Sequence, residues 1–319
     1  MIKIEELRKR YGETEAVRGV SFEVEKGRVV GLLGPNGAGK TTIMKILTGY
    51  HYPTSGRALI DGVDVAENPN AVKRRLGYLP ESAPLYLDLT PSEYLEFAAD
   101  ARGIYGIDRK QAIAKAVDTC GLGTVFSKPV EQLSKGYRQR LGLAQAILHD
   151  PDILILDEPT TGLDPNQILE IRALIRNLGG EKTVILCTHI LQEVEAVCSK
   201  VLILNEGRIA AQGSAAEIGE ALKGEERLTV RLRRRTGETS RAEIEKRVGE
   251  LSGLKSIVRV QEETGGILSF DLSMAPGGEP GEAVFEWAVA EGLSILELSR
   301  QRLSLEEIFV KLTSEGGRS

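Results

Sequence analysis

The residues Gly34-Pro35-Asn36-Gly37-Ala38-Gly39-Lys40-Thr41 fit the pattern G-x-x-x-x-G-K-[ST]. Glycines at these spacings let successive backbone N–H groups turn inward around a phosphate chain, which side chains would otherwise obstruct. A helix starting at the end of such a loop would aim its positive end at the same anion. Lys40 would reach the terminal phosphates and the Thr41 hydroxyl would meet a magnesium ion, so Gly34 to Thr41 and the following Thr42 are the phosphate-binding candidates. A second chemical element is the apolar run Ile153-Leu154-Ile155-Leu156 ending in Asp157 and Glu158. Carboxylates at the exit of a buried strand are costly unless they meet a metal or a reacting group. Asp157 is placed to hold Mg²⁺, mostly through its water shell. Glu158 is placed to orient and polarise an attacking water.

Together these elements specify a P-loop NTPase and nothing narrower. The class narrows at Leu133-Ser134-Lys135-Gly136-Tyr137, where Ser134 is a good helix N-cap with free N–H groups behind it. About 20 residues later comes the Asp157 strand, then Gly162-Leu163-Asp164-Pro165 and His189 in order.

With that ordered set, residues 1 to about 220 resemble the ABC ATPases. The resemblance implies that Ser134, Lys135, Gly136 and Tyr137 of one protomer cap the γ-phosphate held by Lys40 of another, with ATP sandwiched in a head-to-tail dimer. It makes Asp164 a cross-interface contact and His189 the residue that senses the γ-phosphate. It makes Tyr11 the aromatic that stacks on adenine. Two positions depart from the family pattern. Glu81 stands where a glutamine usually links Mg²⁺ to the transporter interface, and Tyr137 replaces an amide. With Pro84-Leu85-Tyr86-Leu87 and the ending Ser304-Leu305-Glu306-Glu307-Ile308-Phe309, these variants resemble the ABC-2 branch of exporter ATPases, whose permeases are separate chains. The implied partners are ATP, a second copy or paired ATPase, and an integral membrane ABC-2 permease. The implied location is the cytoplasmic face of the cell membrane.

The elements that must position these residues are legible in the patterning. The apolar run Val29–Leu33 leads into the glycine-rich loop and reads as a buried parallel strand. Thr41–Thr48 has helical apolar spacing. Helical patterns follow at Pro91–Arg102, Arg109–Cys120 and Ser134–His149, a helical insertion over about 85–149. Buried strands return at Ile153–Leu156 and Val184–Cys187, with helical Gln167–Leu178 between them, and Val201–Asn205 with Arg208–Ala210 reads as a closing hairpin. The expected class is therefore α/β, a mostly parallel sheet with a helical insertion, over residues 1–222.

Residues 227–319 are expected to form a small α+β accessory domain. Strand, helix, strand, strand, helix and strand follow one another over Leu228–Leu232, Ala242–Leu251, Ser256–Val260, Ile267–Leu272, Glu282–Glu291 and Leu293–Leu298. That βαββαβ order is ferredoxin-like, and a last helix is expected at Leu305–Leu312.

Composition sets the outer limits. With 41% hydrophobic and 27% charged residues the chain can build a real core, which excludes a disordered or coiled-coil protein. A net charge of −5 supplies no general attraction to nucleic acid, which is not expected as a partner. The cluster Arg231, Arg233, Arg234 and Arg235 lacks interleaved aromatics and reads as a solvated strand end. Cys120, Cys187 and Cys198 show no metal or redox spacing, and a reducing compartment suits them. The start lacks the apolar stretch of a signal peptide, and no run approaches the roughly 18–20 apolar residues of a membrane helix. The rival reading, a soluble ABC ATPase acting on ribosomes or DNA, would usually carry two cassettes or a long coiled coil. This sequence has one phosphate loop and no sustained heptads.

Overall fold

A computed structural model of the chain describes residues 1–214, 217–218, 226–234, 241–263, 266–275, 280–301 and 309. Two compact units divide it, the first built on Met1–Ala215 and the second lying within Ala216–Ile308.

The first unit is organised by a six-stranded sheet. Its strands are β3 (Val29–Leu33), β6 (Leu76–Leu79), β7 (Ile153–Asp157), β8 (Thr183–Thr188), β9 (Lys200–Asn205) and β10 (Arg208–Gly213), in the order β10-β9-β3-β8-β7-β6. β3 pairs in parallel with β8 and β9, and β7 with β6 and β8, while β9 and β10 form the antiparallel hairpin expected from the sequence. Every residue of β3, β7 and β8 is buried, which is why these strands read as unbroken apolar runs. Within β7 the two-residue period divides the side chains: Ile153 and Ile155 enter one core cluster, Leu154 and Leu156 the other. The first cluster is closed by α1 (Lys40–Leu47) and by a second, antiparallel sheet of β1 (Ile2–Tyr11), β2 (Thr14–Val24), β4 (Ser55–Ile60) and β5 (Val63–Asp64). The second is closed by the helical side of the unit.

That helical side contains α3 (Pro91–Ala101), α4 (Gly106–Cys120) and α5 (Lys135–Ile147), with α2 (Pro69–Arg75) preceding β6 and α6 (Pro165–Gly179) and α7 (Leu191–Val197) flanking β8. Thr90 and Glu93 form a reciprocal capping box that fixes the start of α3. Ser134 caps α5 by accepting from the Tyr137 N–H at 3.4 Å. The three cysteines fall where packing wants them. Cys187 joins one cluster and Cys120 the other, and burial pushes the Cys120 thiol up to about 12. Among the described residues no helix is long and apolar enough to cross a membrane.

His149, just past α5, is held by a contact of 3.1 Å between Nε2 and the Leu76 carbonyl at the start of β6. Burial, aided by the Arg102 charge, lowers its pKa from 6.5 to about 4. The unfolded chain therefore binds a proton that the folded chain refuses between those values, and the folded state loses stability as pH falls from 6.5 towards 4. In His149→Gln the amide can still donate to Leu76 but takes up no proton. Melting temperatures measured across that range are expected to show the gap between parent and variant narrowing on acidification. A gap that stays constant with pH would contradict this account.

The second unit has the order expected from its sequence: β11 (Glu226–Arg234), α8 (Arg241–Val248), β12 (Leu254–Glu263), β13 (Ile267–Met274), α9 (Pro280–Ala290) and β14 (Leu293–Gln301). The sheet order is β12-β13-β11-β14, antiparallel throughout. Leu228, Val230 and Leu232 of β11 pack with Phe270, Ile244, Val248 and Val284 in a separate core. The alternate positions are polar: Thr229 donates to Asp271 at 2.8 Å, and Arg231 pairs with Glu263 at 2.6 Å and Glu297 at 3.6 Å. Part of the basic cluster is thus neutralised by cross-strand carboxylates. The Arg234 side chain, Arg235 and the helix expected at Leu305–Leu312 lie outside the described residues, apart from Phe309.

Candidate active site

The phosphate loop lies between the wholly buried β3 and α1. Gly39 precedes the helix at φ 105°, a backbone that side chains rarely adopt, and a Cβ there would stand 2.5 Å from the Ala16 carbonyl. Ala38 is buried and its carbonyl accepts from the Gly207 N–H at 3.0 Å, which anchors the loop to the β9–β10 turn. Lys40 is buried at 6% exposure. Its ammonium donates to the carbonyls of Gly34 at 2.7 Å and Pro35 at 3.2 Å, and lies 3.9 Å from Glu158 Oε1.

β7 delivers the two carboxylates. Asp157 is 1% exposed, and burial raises its pKa above the usual carboxylate value against the hydrogen bond from the Cys187 thiol. Neighbouring Glu158 and Glu81 push it the same way and Lys40 opposes them. Asp157 Oδ1 is buried without a hydrogen-bond partner. A buried, partnerless carboxylate oxygen within reach of the Lys40 charge suits a hard divalent cation.

Glu158 has φ 50°, a left-handed backbone that costs a non-glycine residue about 1–2 kcal/mol. Its N–H bonds to the Cys187 carbonyl at 2.8 Å. Its carboxylate meets donors on two sides: His189 Nδ1 lies 2.9 Å from both oxygens and the Thr161 hydroxyl 3.3 Å from Oε2, with the Thr188 hydroxyl oxygen 3.4 Å from Oε2. A carboxylate can only accept here, so Nδ1 carries the imidazole hydrogen in this contact.

Lys40, Glu158 and His189 border one cavity of about 490 Å³, lined also by Tyr11, Asn36, Gly37, Gly39, Thr41, Thr42 and Glu81, with Ala16 and Thr161 as members the sequence did not mark, while the buried Asp157 is not among its lining residues. Tyr11 is 43% exposed, edge-on to His51 at 5.8 Å, with Lys9 Nζ 5.1 Å from its ring. Glu81 is exposed at the cavity edge, two residues past β6.

Ser134, Lys135, Gly136, Tyr137 and Asp164 do not line this cavity. They form a patch of their own. Asp164 caps α6 by accepting from the Gln167 N–H at 3.0 Å. The Gln167 side chain fills the space a Cβ on Gly136 would need, and Lys135 Nζ lies against Gly162. Two helix N-termini, those of α5 and α6, thus meet in one polar surface with Ser134 and Asp164 exposed. Tyr137 sends its ring into the helical-side core, with its hydroxyl 3.5 Å from Thr124 Oγ1.

Sequence reading missed a buried layer behind Glu158. Thr188 (0% exposed) donates to Glu193 Oε2 at 2.8 Å, and Thr160 (2%) donates to Glu193 Oε1. Glu193 is 1% exposed, and burial raises its pKa against the Thr188 hydrogen bond and the Arg172 charge. The only available signal was spacing: Glu193 sits four residues past His189, across the first turn of a short helix.

Comparison with known proteins agrees with this geometry. The family described as ABC transporter matches residues 17–161. The chain is 34% identical to the bacitracin transport ATP-binding protein BcrA of Enterococcus faecalis, covering 99% of this chain and 97% of that one. It is 30% identical to the linearmycin resistance ATP-binding protein LnrL of Bacillus subtilis (strain 168), covering 98% of each. A solved dimeric bacterial ABC transporter cassette is similar with a TM-score of 0.61 and 25% identity, covering 67% of this chain and 98% of that one. With relatives matched end to end and a phosphate loop, the strand-end Glu158 and a histidine around one cavity, the chain belongs to the family of ABC transporter ATP-binding proteins, the ATPase subunits of such transporters.

Proposed function

We propose that this chain powers an ABC-2-type exporter as a head-to-tail dimer seated on the cytoplasmic face of a separate membrane permease. The observation that carries the reading is the split of the site. Lys40, Glu158 and His189 border one cavity, whereas Ser134, Gly136 and Asp164 lie together outside it. A second copy, turned head to tail, would bring the latter patch over the former. The relatives named for bacitracin transport and linearmycin resistance support an export role, and the dimeric cassette supports the pairing.

In this reading ATP lies with its base on Tyr11 and its phosphates within the ring of N–H groups from Gly34 to Thr42. Lys40 neutralises the terminal phosphates. Asp157, the Thr41 hydroxyl and Glu81 would hold Mg²⁺, which would supply charge neutralisation on the phosphates. Glu158 orients the attacking water and accepts its proton, and His189 fixes the Glu158 carboxylate through Nδ1. The N-termini of α5 and α6 from the partner copy add positive dipole ends facing the γ-phosphate.

The test is purification of the tagged chain from its native membranes in mild detergent. A polytopic membrane protein in stoichiometric yield is the expected partner. Recovery with ribosomal proteins instead, and no membrane protein, would leave the ATPase in place and overturn the exporter reading.

A further inference from the structure

The left-handed backbone at Glu158 must be held in place, because the residue gains nothing locally from adopting it. Part of the restraint is the bond from its own N–H to Cys187. The rest comes from a carboxyl that touches neither the cavity nor any group expected to meet nucleotide. Glu193, on the first turn of α7, takes hydrogen bonds from two hydroxyls, one on each side of Glu158. Thr160 belongs to the turn that begins at Glu158, a turn closed by the bonds from Thr161 N–H to the Glu158 carbonyl and from Leu163 N–H to the Thr160 carbonyl. Thr188 ends β8, lies 3.4 Å from Glu158 Oε2, and accepts from the Ile190 N–H at 3.1 Å.

We infer that Glu193 is a positioning residue for ATP hydrolysis, clamping the Thr160 turn and the Thr188 hydroxyl so that the Glu158 carboxylate and His189 stay aimed at one point. The inference rests on the reading that Glu158 directs the water. Three observations converge on it. All three members of the clamp are at most 2% exposed, so water cannot substitute for a lost partner. The clamp joins the β7 exit to the β8 exit, the two strand ends that carry Glu158 and His189. And the carboxyl sits where burial disfavours its charged form, an expensive place for a group whose only work would be packing.

The experiment compares purified full-length parent, Glu193→Ala, Glu193→Gln, Thr188→Val and Glu158→Gln for kcat, KM for Mg-ATP, affinity for a fluorescent ATP analogue, and melting temperature. Misplacement of a catalytic group by about an ångström costs on the order of a hundredfold in rate. Glu193→Ala and Thr188→Val are therefore expected to lose about tenfold to a hundredfold in kcat while KM and analogue affinity stay within about threefold. Glu193→Gln keeps both an acceptor for Thr160 and a partner for Thr188, and is expected to recover most of the rate. If Glu193→Ala does not fold, the nearly isosteric Thr188→Val and the Gln variant carry the comparison.

Parent-like kcat in Glu193→Ala or in Thr188→Val overturns the inference. So does a parallel fall of rate, affinity and melting temperature, which would mark general packing, and so does equal loss in the Gln and Ala variants. Glu158→Gln separates the two levels. Parent-like hydrolysis in that variant removes the reading of Glu158 itself, whereas an inactive Glu158→Gln beside a fully active Glu193→Ala removes the clamp alone.

Discussion

Glu158→Gln is expected to lower ATP turnover by about a hundredfold or more while leaving ATP affinity nearly unchanged, since a positioned general base contributes roughly 10²–10⁴-fold. The substitution is close to isosteric, so the left-handed backbone and the bond from its N–H to Cys187 remain available. What changes is the acceptor. The carboxylate that faces His189 Nδ1 at 2.9 Å and the Thr161 hydroxyl at 3.3 Å becomes an amide, unable to take a proton from water. The phosphate contacts belong to other residues, so binding should survive. ATP would then accumulate in the site, and a sandwiched dimer that normally opens on hydrolysis would persist. Steady-state turnover, analogue binding and size-exclusion chromatography with ATP check all three parts. Turnover at the parent rate would remove Glu158 from the chemistry, and lost affinity would mean that it works mainly in binding.

How much of this was legible in the sequence depends on whether a residue's role is local. The phosphate loop, the Asp157–Glu158 strand end and the cap at Ser134 are local devices. Their geometry follows from neighbours a few residues away, and the Ser134 capping bond is present. The ladder β3, β7, β8 was legible because strands buried on both faces leave an apolar run with no alternation. The second unit was legible for the opposite reason: β11 alternates, with Leu228, Val230 and Leu232 turned to its core and Thr229 and Arg231 to the other face. By contrast, β4, β5, β6 and α2 are short or mixed in pattern, with two to seven residues that only tertiary pairing makes regular. The Glu193 layer left no more than its spacing from His189 in the sequence. Its partners lie 33 and five residues away, and only the junction of β7 and β8 brings them together.

Lys40→Ala is expected to weaken Mg-ATP binding by about a hundredfold or more, some 2.7 kcal/mol, since losing one partner of a buried charged contact costs roughly 2–5 kcal/mol. The folded site explains why no neighbour compensates. Among the described residues that line the cavity Lys40 is the only lysine or arginine, beside the carboxylates of Glu81 and Glu158. Without it, an incoming polyphosphate meets two negative groups and a ring of N–H dipoles whose partial charges cannot balance them. Lys40→Arg should not restore affinity. The ammonium reaches its place by donating to the Gly34 carbonyl at 2.7 Å within a pocket that leaves it 6% exposed, and a planar guanidinium fork does not fit that point contact. Stability should fall as well. With the buried ammonium gone, the Gly34 and Pro35 carbonyls lose a donor and the buried Asp157 and Glu158 carboxylates lose the cation beside them, so the melting temperature should drop. Titration of each variant with a fluorescent ATP analogue, beside a melting curve without nucleotide, checks both halves. Near-parent affinity in Lys40→Ala would mean that the loop N–H groups alone hold the phosphates, and the assignment of Lys40 to the terminal phosphates would fall.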